Sequence, residues 1–313
     1  MLPHVETLPN GLTLVLAENH ASPVVALEVW VRVGSADELP RQAGLAHVHE
    51  HMLFKGTARR GVGQIAQQVE ASGGEINART SFDYTVYHLE MSSRFFESGA
   101  DILADAVQNA AFDPDELGRE LEVIQEEIKR TLDTPAHRAS QLLFSTAYYE
   151  HPYGRPILGS AASVASFTRD DVLDFFHRWY VPSNMTFVAV GDFELAKARE
   201  IIANAFTGSS APRPTHQRPA EPEPEGLRVC AEQAAVRESH LHMAFPIPAF
   251  GHEDVAALDV LSLLMGGGAS SRLENRIRRE RRLVNSIGTY AYTPVDPGLF
   301  TIAATFQDES ARE

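Results

Sequence analysis

Hydrophobic and polar residues repeat with two different periods along this chain, and together they predict a mixed fold. Strands are predicted where apolar residues alternate or form short runs, at residues 5–8, 12–17, 24–33, 75–81, 84–91 and 185–190. Helices are predicted where apolar residues recur every three to four positions, at residues 65–71, over most of 94–149, at 169–179 and at 191–206. We therefore expect an α+β domain whose helices pack on a largely antiparallel sheet.

The same order of elements begins again after a proline-rich stretch. The later strands and helices are predicted at residues 239–246, 252–265, 271–282, 285–292 and 298–305. The pattern predicts a first domain at 1–208, an extended linker at 209–226 and a second homologous domain at 227–313. The repeat is incomplete, and a half-domain would expose its core and a sheet edge, so we expect the second domain to be truncated here.

Two histidines and a glutamate converge within one short predicted helix. At 100° per residue, His47 and His51 lie on one face and Glu50 lies beside them. Imidazoles four positions apart supply two ligands to zinc, and a neighbouring glutamate accepts a proton from the attacking water. The order H-x-x-E-H is the inverse of the common zinc peptidase motif and is itself a metallopeptidase signature.

The other side of this helix is apolar. Leu45, Val48 and Met52 form a stripe that separates a core face from the face with the zinc motif. His49 projects with the apolar side, so we interpret it as structural. The competing interpretation is a chance spacing on a solvated helix, since the chain has 13 histidines and 42 acidic residues.

A second helix carries candidates for the third zinc ligand. Asp113 before a proline is a strong helix start. On the helical wheel, Glu120 and Glu127 lie at the border of the buried stripe, whereas Glu126 and Glu122 belong to the charged outer face. Geometry alone leaves Glu120 and Glu127 as alternatives.

Three stretches resemble one known family. The run at 44–57, the acidic helix after it and the segment at 73–87 are similar to the pitrilysin/insulinase family of zinc peptidases, in the branch that includes the mitochondrial processing peptidase. The resemblance extends over essentially the whole chain. It implies two homologous α+β domains of the processing-peptidase type, of which the second lacks a zinc motif.

The resemblance also assigns roles to individual residues. It implies that His47 and His51 bind Zn²⁺, that Glu50 is the general base, and that Glu127 is the third ligand. Glu120 matches an auxiliary acidic residue that assists catalysis in that family.

Substrate binding is expected from two further places. Asn77, Ala78 and Thr80 lie on the strand that in the resembled family pairs with extended substrate. The competing interpretation is an ordinary edge strand with polar residues. Arg278 matches an arginine that in family members holds the substrate carbonyl together with a tyrosine seven positions later. Position 285 is asparagine, which argues against carbonyl binding by this chain alone. The competing interpretation of Arg278 is a basic helix surface shared with Arg279, Arg281 and Arg282, and otherwise a homologous partner subunit is expected to supply the tyrosine.

Composition narrows the class of protein. A net charge of −15 argues against nucleic-acid binding and suits either the recruitment of basic peptides or plain solubility. The single cysteine allows no internal disulfide. No stretch reaches the length of a membrane span and no signal peptide precedes the first strand, so we expect a soluble protein of the cytoplasm or periplasm.

These features predict a zinc endopeptidase that hydrolyses extended or unfolded peptides, in precursor processing or peptide degradation. The alternative is a non-catalytic core subunit of the same fold, as in respiratory complexes. We expect peptide as substrate, a hetero- or homodimer with a homologous subunit, and no nucleic acid as partner.

Overall fold

The structure is a computed structural model that describes residues 2–208 and 210–307. Contacts divide the chain into two compact units. One contains the chain up to Ile128 together with Pro156–Arg218, and the other contains Lys129–Arg155 and the chain from Pro219 onward. The division differs from the expected boundary at 208, because Lys129–Arg155 packs with the later residues.

The first unit is built on a six-stranded sheet. Its strands are β1 (His4–Thr7), β2 (Thr13–Glu18), β3 (Val24–Val31), β4 (Glu75–Thr80), β5 (Thr85–Ser92) and β6 (Met185–Gly191). Their order across the sheet is β1-β2-β6-β3-β5-β4, and only the β2–β6 pair is parallel. The first unit therefore has the largely antiparallel sheet that the sequence predicts, with β4 at one edge.

Helices follow the apolar periodicity closely. The first unit contains α1 (Leu45–Met52), α2 (Gln64–Ala71), α3 (Phe96–Asn109) and most of α4 (Pro114–Leu132). The next helix, α5 (Pro135–Ala147), belongs to the second unit, and the first unit continues with α6 (Ala161–Ser166), α7 (Arg169–Trp179) and α8 (Leu195–Ala205). Asp113 caps α4 as expected, since its Oδ1 accepts bonds from the amides of Asp115 and Glu116 at 2.9 and 3.1 Å. The short α6 was not predicted from the sequence; a capping box between Ser160 and Ser163 begins it.

The core of the first unit lies between the sheet and its helices. In β3 every second side chain is buried, as the alternating pattern predicts. Val48 and Met52 of α1 are fully enclosed in the same core, and so is Ile124 of α4. The zinc motif and the acidic helix are thus anchored to one hydrophobic core.

The second unit contains a three-stranded antiparallel sheet with helices. Its later elements are β7 (Ser239–Ile247), α9 (Val255–Gly266), β8 (Ser286–Tyr292) and β9 (Gly298–Phe306), and the strand order is β7-β9-β8. The helix expected at 271–282 is mainly a π-helical segment at Glu274–Glu280. Glu274 pairs there with Arg278 and Arg279, four and five positions on, which suits the wider turn.

The predicted α+β class is confirmed in both units. Within the described ranges, no helix is both long enough and apolar enough to cross a bilayer.

Candidate metal centre

The helix that carries the histidines begins at a tightly packed glycine. Gly44 has a φ of +106°, and a Cβ atom there would lie 2.8 Å from the carbonyl oxygen of Leu158. The Glu38 carboxylate, which is buried, accepts bonds from the amides of Gly44 and Ala46 at 2.9 and 2.7 Å. Glu38 therefore satisfies amides at the start of α1 that have no partner within the helix.

Three of the predicted ligands meet on one side of α1. Oε2 of Glu127 lies 3.8 Å from Nε2 of His47 and 3.6 Å from Nε2 of His51. One ligand atom from each of the three residues lies within 4.8 Å of the other two. Zinc bonds of about 2.0–2.2 Å at tetrahedral angles place ligand atoms about 3.4 Å apart, so the group is close to the required spacing.

His47 has the properties of a ligand ring. Burial and, to a smaller extent, the neighbouring His51 lower its pKa to about 4 against the opposing charge of Glu127, so the imidazole is neutral at pH 7. Its Nδ1 is buried and has no hydrogen-bond partner among the described residues. Its Nε2 is too far from Glu127 for a hydrogen bond. A neutral imidazole with a free Nε2 lone pair fits a metal ion.

His51 is oriented by a second carboxylate. Oε2 of Glu120 lies 3.0 Å from His51 Nδ1, and its Oε1 lies 2.5 Å from Nζ of Lys55. Although burial opposes it, the bonds to Lys55 and His51 lower the pKa of Glu120, so it stays ionised. An Nδ1–H bond to this carboxylate leaves the Nε2 lone pair facing Glu127, which is the usual outer-shell arrangement around zinc.

Glu50 lies half-buried on the same helix, close to two buried tyrosines. The hydroxyls of Tyr87 and Tyr180 are 2.7 Å apart. Burial raises the pKa of both phenols, and the negative charge of Glu50 raises each pKa further. The charge of Glu50 is therefore felt at this neutral hydroxyl pair.

His49 is structural, as its place on the wheel predicts. It is fully buried, with Nδ1 2.7 Å from the Leu45 carbonyl oxygen and Nε2 2.9 Å from that of Val172 in α7. The rings of Phe175 and Tyr180 lie against it at centroid distances of 4.8 and 5.5 Å. His49 thus ties α1 to α7 on the side away from the ligand pair.

The acidic residues of α4 are sorted as the helical wheel predicts. Glu120 is buried, Glu127 is half-buried beside the histidines, and Glu122 and Glu126 are exposed. The structure brings both wheel candidates to the histidines, but to different atoms. Glu127 approaches the two Nε2 atoms, whereas Glu120 bonds to the outer nitrogen of His51.

The predicted substrate strand is the edge strand β4. Asn77 is exposed, and Ala78 and Thr80 are half-buried. The amide of Ala78 donates to Oδ1 of Asn77 at 2.8 Å, and Ala78 lies opposite Tyr87 in the register with β5. A peptide strand added at this edge would pass alongside Ala78, the residue that pairs with Tyr87.

Arg278 lies in the second unit and is half exposed. It donates to Oε1 of Glu274 and to the main-chain oxygen of Asn285, both at 2.7 Å. The amide of the Asn285 side chain donates to Glu238. These contacts occupy the guanidinium locally, in agreement with the interpretation of a basic helix surface.

Sequence reasoning missed Glu38, Lys55 and the Tyr87–Tyr180 pair. Lys55 follows His51 by four positions, a spacing that suggests a shared helical face, although α1 itself ends at Met52. Glu38 lies in an irregular loop, and the tyrosines are 93 positions apart. Neither relationship has a local pattern that would reveal it.

Two consecutive parts of the chain match models of one peptidase family. Residues 13–161 match the family described as insulinase (peptidase family M16), and residues 166–313 match the peptidase M16 inactive domain. The Bacillus subtilis (strain 168) protein named uncharacterized zinc protease YmxG is 32% identical over 296 residues, covering 95% of this chain and 72% of that protein.

Solved structures show the same fold. A protease from Helicobacter pylori superposes with a TM-score of 0.93 at 29% identity, over 98% of this chain and 76% of that one. A peptidase M16 inactive domain from Pseudomonas fluorescens superposes with a TM-score of 0.91 at 22% identity, over 99% of this chain and 75% of that one. The predicted family is confirmed, and its predicted metal, zinc, is the one named for the Bacillus relative. This chain belongs to the insulinase family of peptidases, peptidase family M16.

Proposed function

We propose that this protein is a zinc-dependent endopeptidase that hydrolyses extended or unfolded peptides. The observation that carries the proposal is the convergence of His47, His51 and Glu127, whose ligand atoms lie within 4.8 Å of one another. Two imidazoles and one carboxylate form the ligand set of many catalytic zinc sites, which keep a fourth position open.

The remaining groups of the site have distinct tasks. When bound, Zn²⁺ would lower the pKa of a coordinated water and polarise the scissile carbonyl. Glu50 accepts the proton of the attacking water and delivers it to the leaving amine. Glu120 is a positioning residue rather than a catalytic one, because it acts through the His51 ring and is itself held by Lys55.

The edge strand β4 gives a basis for binding extended substrate. Main-chain bonds along such an edge hold a peptide with little dependence on its sequence. The Ala78 amide is engaged by the side chain of Asn77, so an incoming strand would displace that local bond. We assign Asn77, Ala78 and Thr80 to substrate binding on this argument.

A homologous partner subunit is part of this proposal. Position 285 is asparagine, and Arg278 is already bonded to the main chain there and to Glu274. The carbonyl-binding pair expected from the resemblance is therefore incomplete in this chain. A homologous subunit that carries the tyrosine would complete it in a heterodimer, whereas a second copy of this chain would bring the same Asn285.

One other function has an observation in its favour. Residues 166–313 match a domain described as inactive, which suits a non-catalytic core subunit. The intact group of His47, His51, Glu50 and Glu127 in the first unit favours the enzyme. A core subunit would have no need of a buried, neutral His47 beside two further ligand candidates.

Metal analysis combined with peptide cleavage separates the two functions. The purified protein should contain close to one zinc per chain and should cleave a quenched, unstructured peptide. A chelator should abolish cleavage and added zinc should restore it. Cleavage that persists in the metal-free protein would overturn the proposal. So would a zinc-loaded protein that leaves all peptides of a varied library intact, alone or with a homologous subunit.

A further inference from the structure

We propose that Asp37 and Glu38 form a connector through which Arg218, a residue of the proline-rich linker, positions the zinc-motif helix α1. The inference rests on the proposed function only in taking α1 as the metal-binding helix. It concerns residues that lie outside the ligand set, all of them in the first unit.

Arg218 is held by two carboxylates. Its Nη2 lies 2.8 Å from Oδ1 of Asp37, and its Nη1 lies 2.6 Å from Oδ1 of Asp83. The guanidinium side chain is 8% exposed, the side chain of Asp83 9%, and that of Asp37 is fully buried. A planar guanidinium fixes the direction of each bond, so this is an oriented contact and more than a charge attraction.

A second linker side chain reaches the same carboxylate. Nδ1 of His216 lies 2.6 Å from Oδ1 of Asp37, and its ring lies 5.2 Å from the ring of Trp179. The other oxygen of Asp37 accepts the amide of Gly34 at 3.0 Å. The carboxylate of Asp37 thus lies between the linker on one side and its own loop on the other.

The loop that contains Asp37 is fixed to the turn between β4 and β5. The amides of Ser35 and Ala36 donate to the carbonyl oxygens of Ser81 and Phe82 at 3.1 and 2.9 Å. A Cβ atom at position 34 would lie 2.4 Å from those same oxygens, so only glycine allows this approach. Arg218 closes the arrangement by joining Asp37 of the loop to Asp83 of the turn.

The next residue, Glu38, is bonded to the start of the zinc-motif helix. Its two oxygens accept the amides of Gly44 and Ala46, and 4% of the residue is exposed. A carboxylate at a helix N-terminus is favoured by the helix dipole as well as by these bonds. Because Asp37 and Glu38 are adjacent, a displacement of the Asp37 carboxylate is passed directly to this cap.

The connection has a consequence for metal binding. His47 lies one position after Ala46, so a tilt or fraying of the first turn of α1 moves a ligand away from His51 and Glu127. Outer-shell groups that orient zinc ligands typically contribute 10- to 100-fold to metal affinity or activity. We therefore assign Glu38 and Arg218 as positioning residues. Arg218 also contacts Asp83 in the turn after β4, so the same linker contact connects β4 to α1.

The test measures zinc affinity, which does not depend on any cleavage. The zinc dissociation constant is measured by chelator competition for four proteins: the parent, Glu38→Gln, Arg218→Gln and the double variant. Glu38→Gln should weaken zinc binding about 10-fold or more and Arg218→Gln about 3- to 10-fold. In the double variant, zinc binding should be weakened by less than the product of the two single-variant factors, because both changes act through one connector.

Amide hydrogen exchange of the metal-free proteins supplies the second readout. Exchange at residues 44–48 should accelerate in both single variants, whereas a general loss of stability would accelerate exchange throughout the unit. Arg213→Gln is the matched control, since Arg213 is also a linker arginine but donates to the Ser183 carbonyl oxygen and not to Asp37. It should leave the zinc dissociation constant within twofold.

Three results would overturn the connector: unchanged zinc affinity in Arg218→Gln, fully multiplicative effects in the double variant, or an equal effect of Arg213→Gln. Should Arg218→Gln fail to fold, Arg218→Lys and Asp37→Asn give the same comparison with smaller changes. A parent protein that binds zinc but cleaves no peptide would count against the proposed function alone and leave this test intact.

Discussion

Nδ1 of His51 lies 3.0 Å from Oε2 of Glu120, whereas Nε2 of the same ring lies 3.6 Å from Oε2 of Glu127. The two carboxylates come from one helix, α4, and are seven positions apart. They therefore approach opposite nitrogens of one imidazole. On this relationship we propose that Glu127 is a ligand and that Glu120 orients a ligand.

The first prediction concerns Glu120. Glu120→Ala should weaken zinc binding by about 10- to 100-fold while the protein still loads at saturating zinc, because the change frees His51 without deleting a ligand. Chelator competition measures this. Glu120→Gln should lie between the parent and the alanine variant, since an amide oxygen still accepts the Nδ1–H bond. Complete loss of zinc at saturation in Glu120→Ala would show instead that Glu120 is itself a ligand.

The second prediction separates Glu127 from its neighbour. Glu127→Ala should lose most bound zinc at stoichiometric metal, because one of three ligands is gone. Metal analysis after gel filtration gives the occupancy. Glu126→Ala is the matched control on the next position of the helix, where the side chain is exposed. Similar zinc loss in the two variants would contradict the assignment of the third ligand.

The helical wheel gave this ordering because a regular period relates Glu120, Glu126 and Glu127 to the buried stripe. The same helical period predicts α1, and the two-residue alternation predicts β3, since a single core face specifies each of them. It predicts which side chains point inward. It does not predict which atoms they meet.

The partners of Glu38 and Lys55 were not predictable for that reason. Glu38 lies in a loop with no period, and its partners are backbone amides six and eight positions later. Lys55 meets a carboxylate 65 positions away, which depends on how α4 packs against α1. The placement of Lys129–Arg155 with the second unit is also a matter of long-range packing.

A pH dependence follows from His47. Its pKa is lowered to about 4 by burial, against about 6.5 in an unfolded chain. The unfolded chain therefore binds the proton more tightly, so the free energy of unfolding of the metal-free protein rises as the pH increases from about 4 to about 6.5. This group contributes a rise on the order of 3 kcal/mol, and its contribution is constant at higher pH.

Urea unfolding of the metal-free protein between pH 4.5 and 7.5 measures this effect. His47→Phe should show a smaller increase than the parent over the same range. Buried His49 remains in both proteins and contributes to the slope of each. Equal slopes for the two proteins would contradict a neutral, buried His47.

A homologous subunit should raise the activity of this chain. Asparagine stands at position 285, where the resemblance leads us to expect a tyrosine, so the proposed function predicts incomplete substrate positioning in this chain alone. Lost positioning can cost orders of magnitude in rate. Cleavage of a quenched peptide should increase when a homologue bearing both arginine and tyrosine is added, and sedimentation should show a dimer. A chain that cleaves equally fast with and without such a homologue would refute this expectation.

The most direct test of the central claim compares Glu50→Gln with His51→Ala by measuring zinc content and peptide cleavage on the same samples. Glu50→Gln should retain zinc at the parent level and lose nearly all turnover, because the proton acceptor is removed while the ligands remain. His51→Ala should lose both zinc and turnover, because a ligand is deleted. A Glu50→Gln protein that cleaves peptide at close to the parent rate would contradict the account.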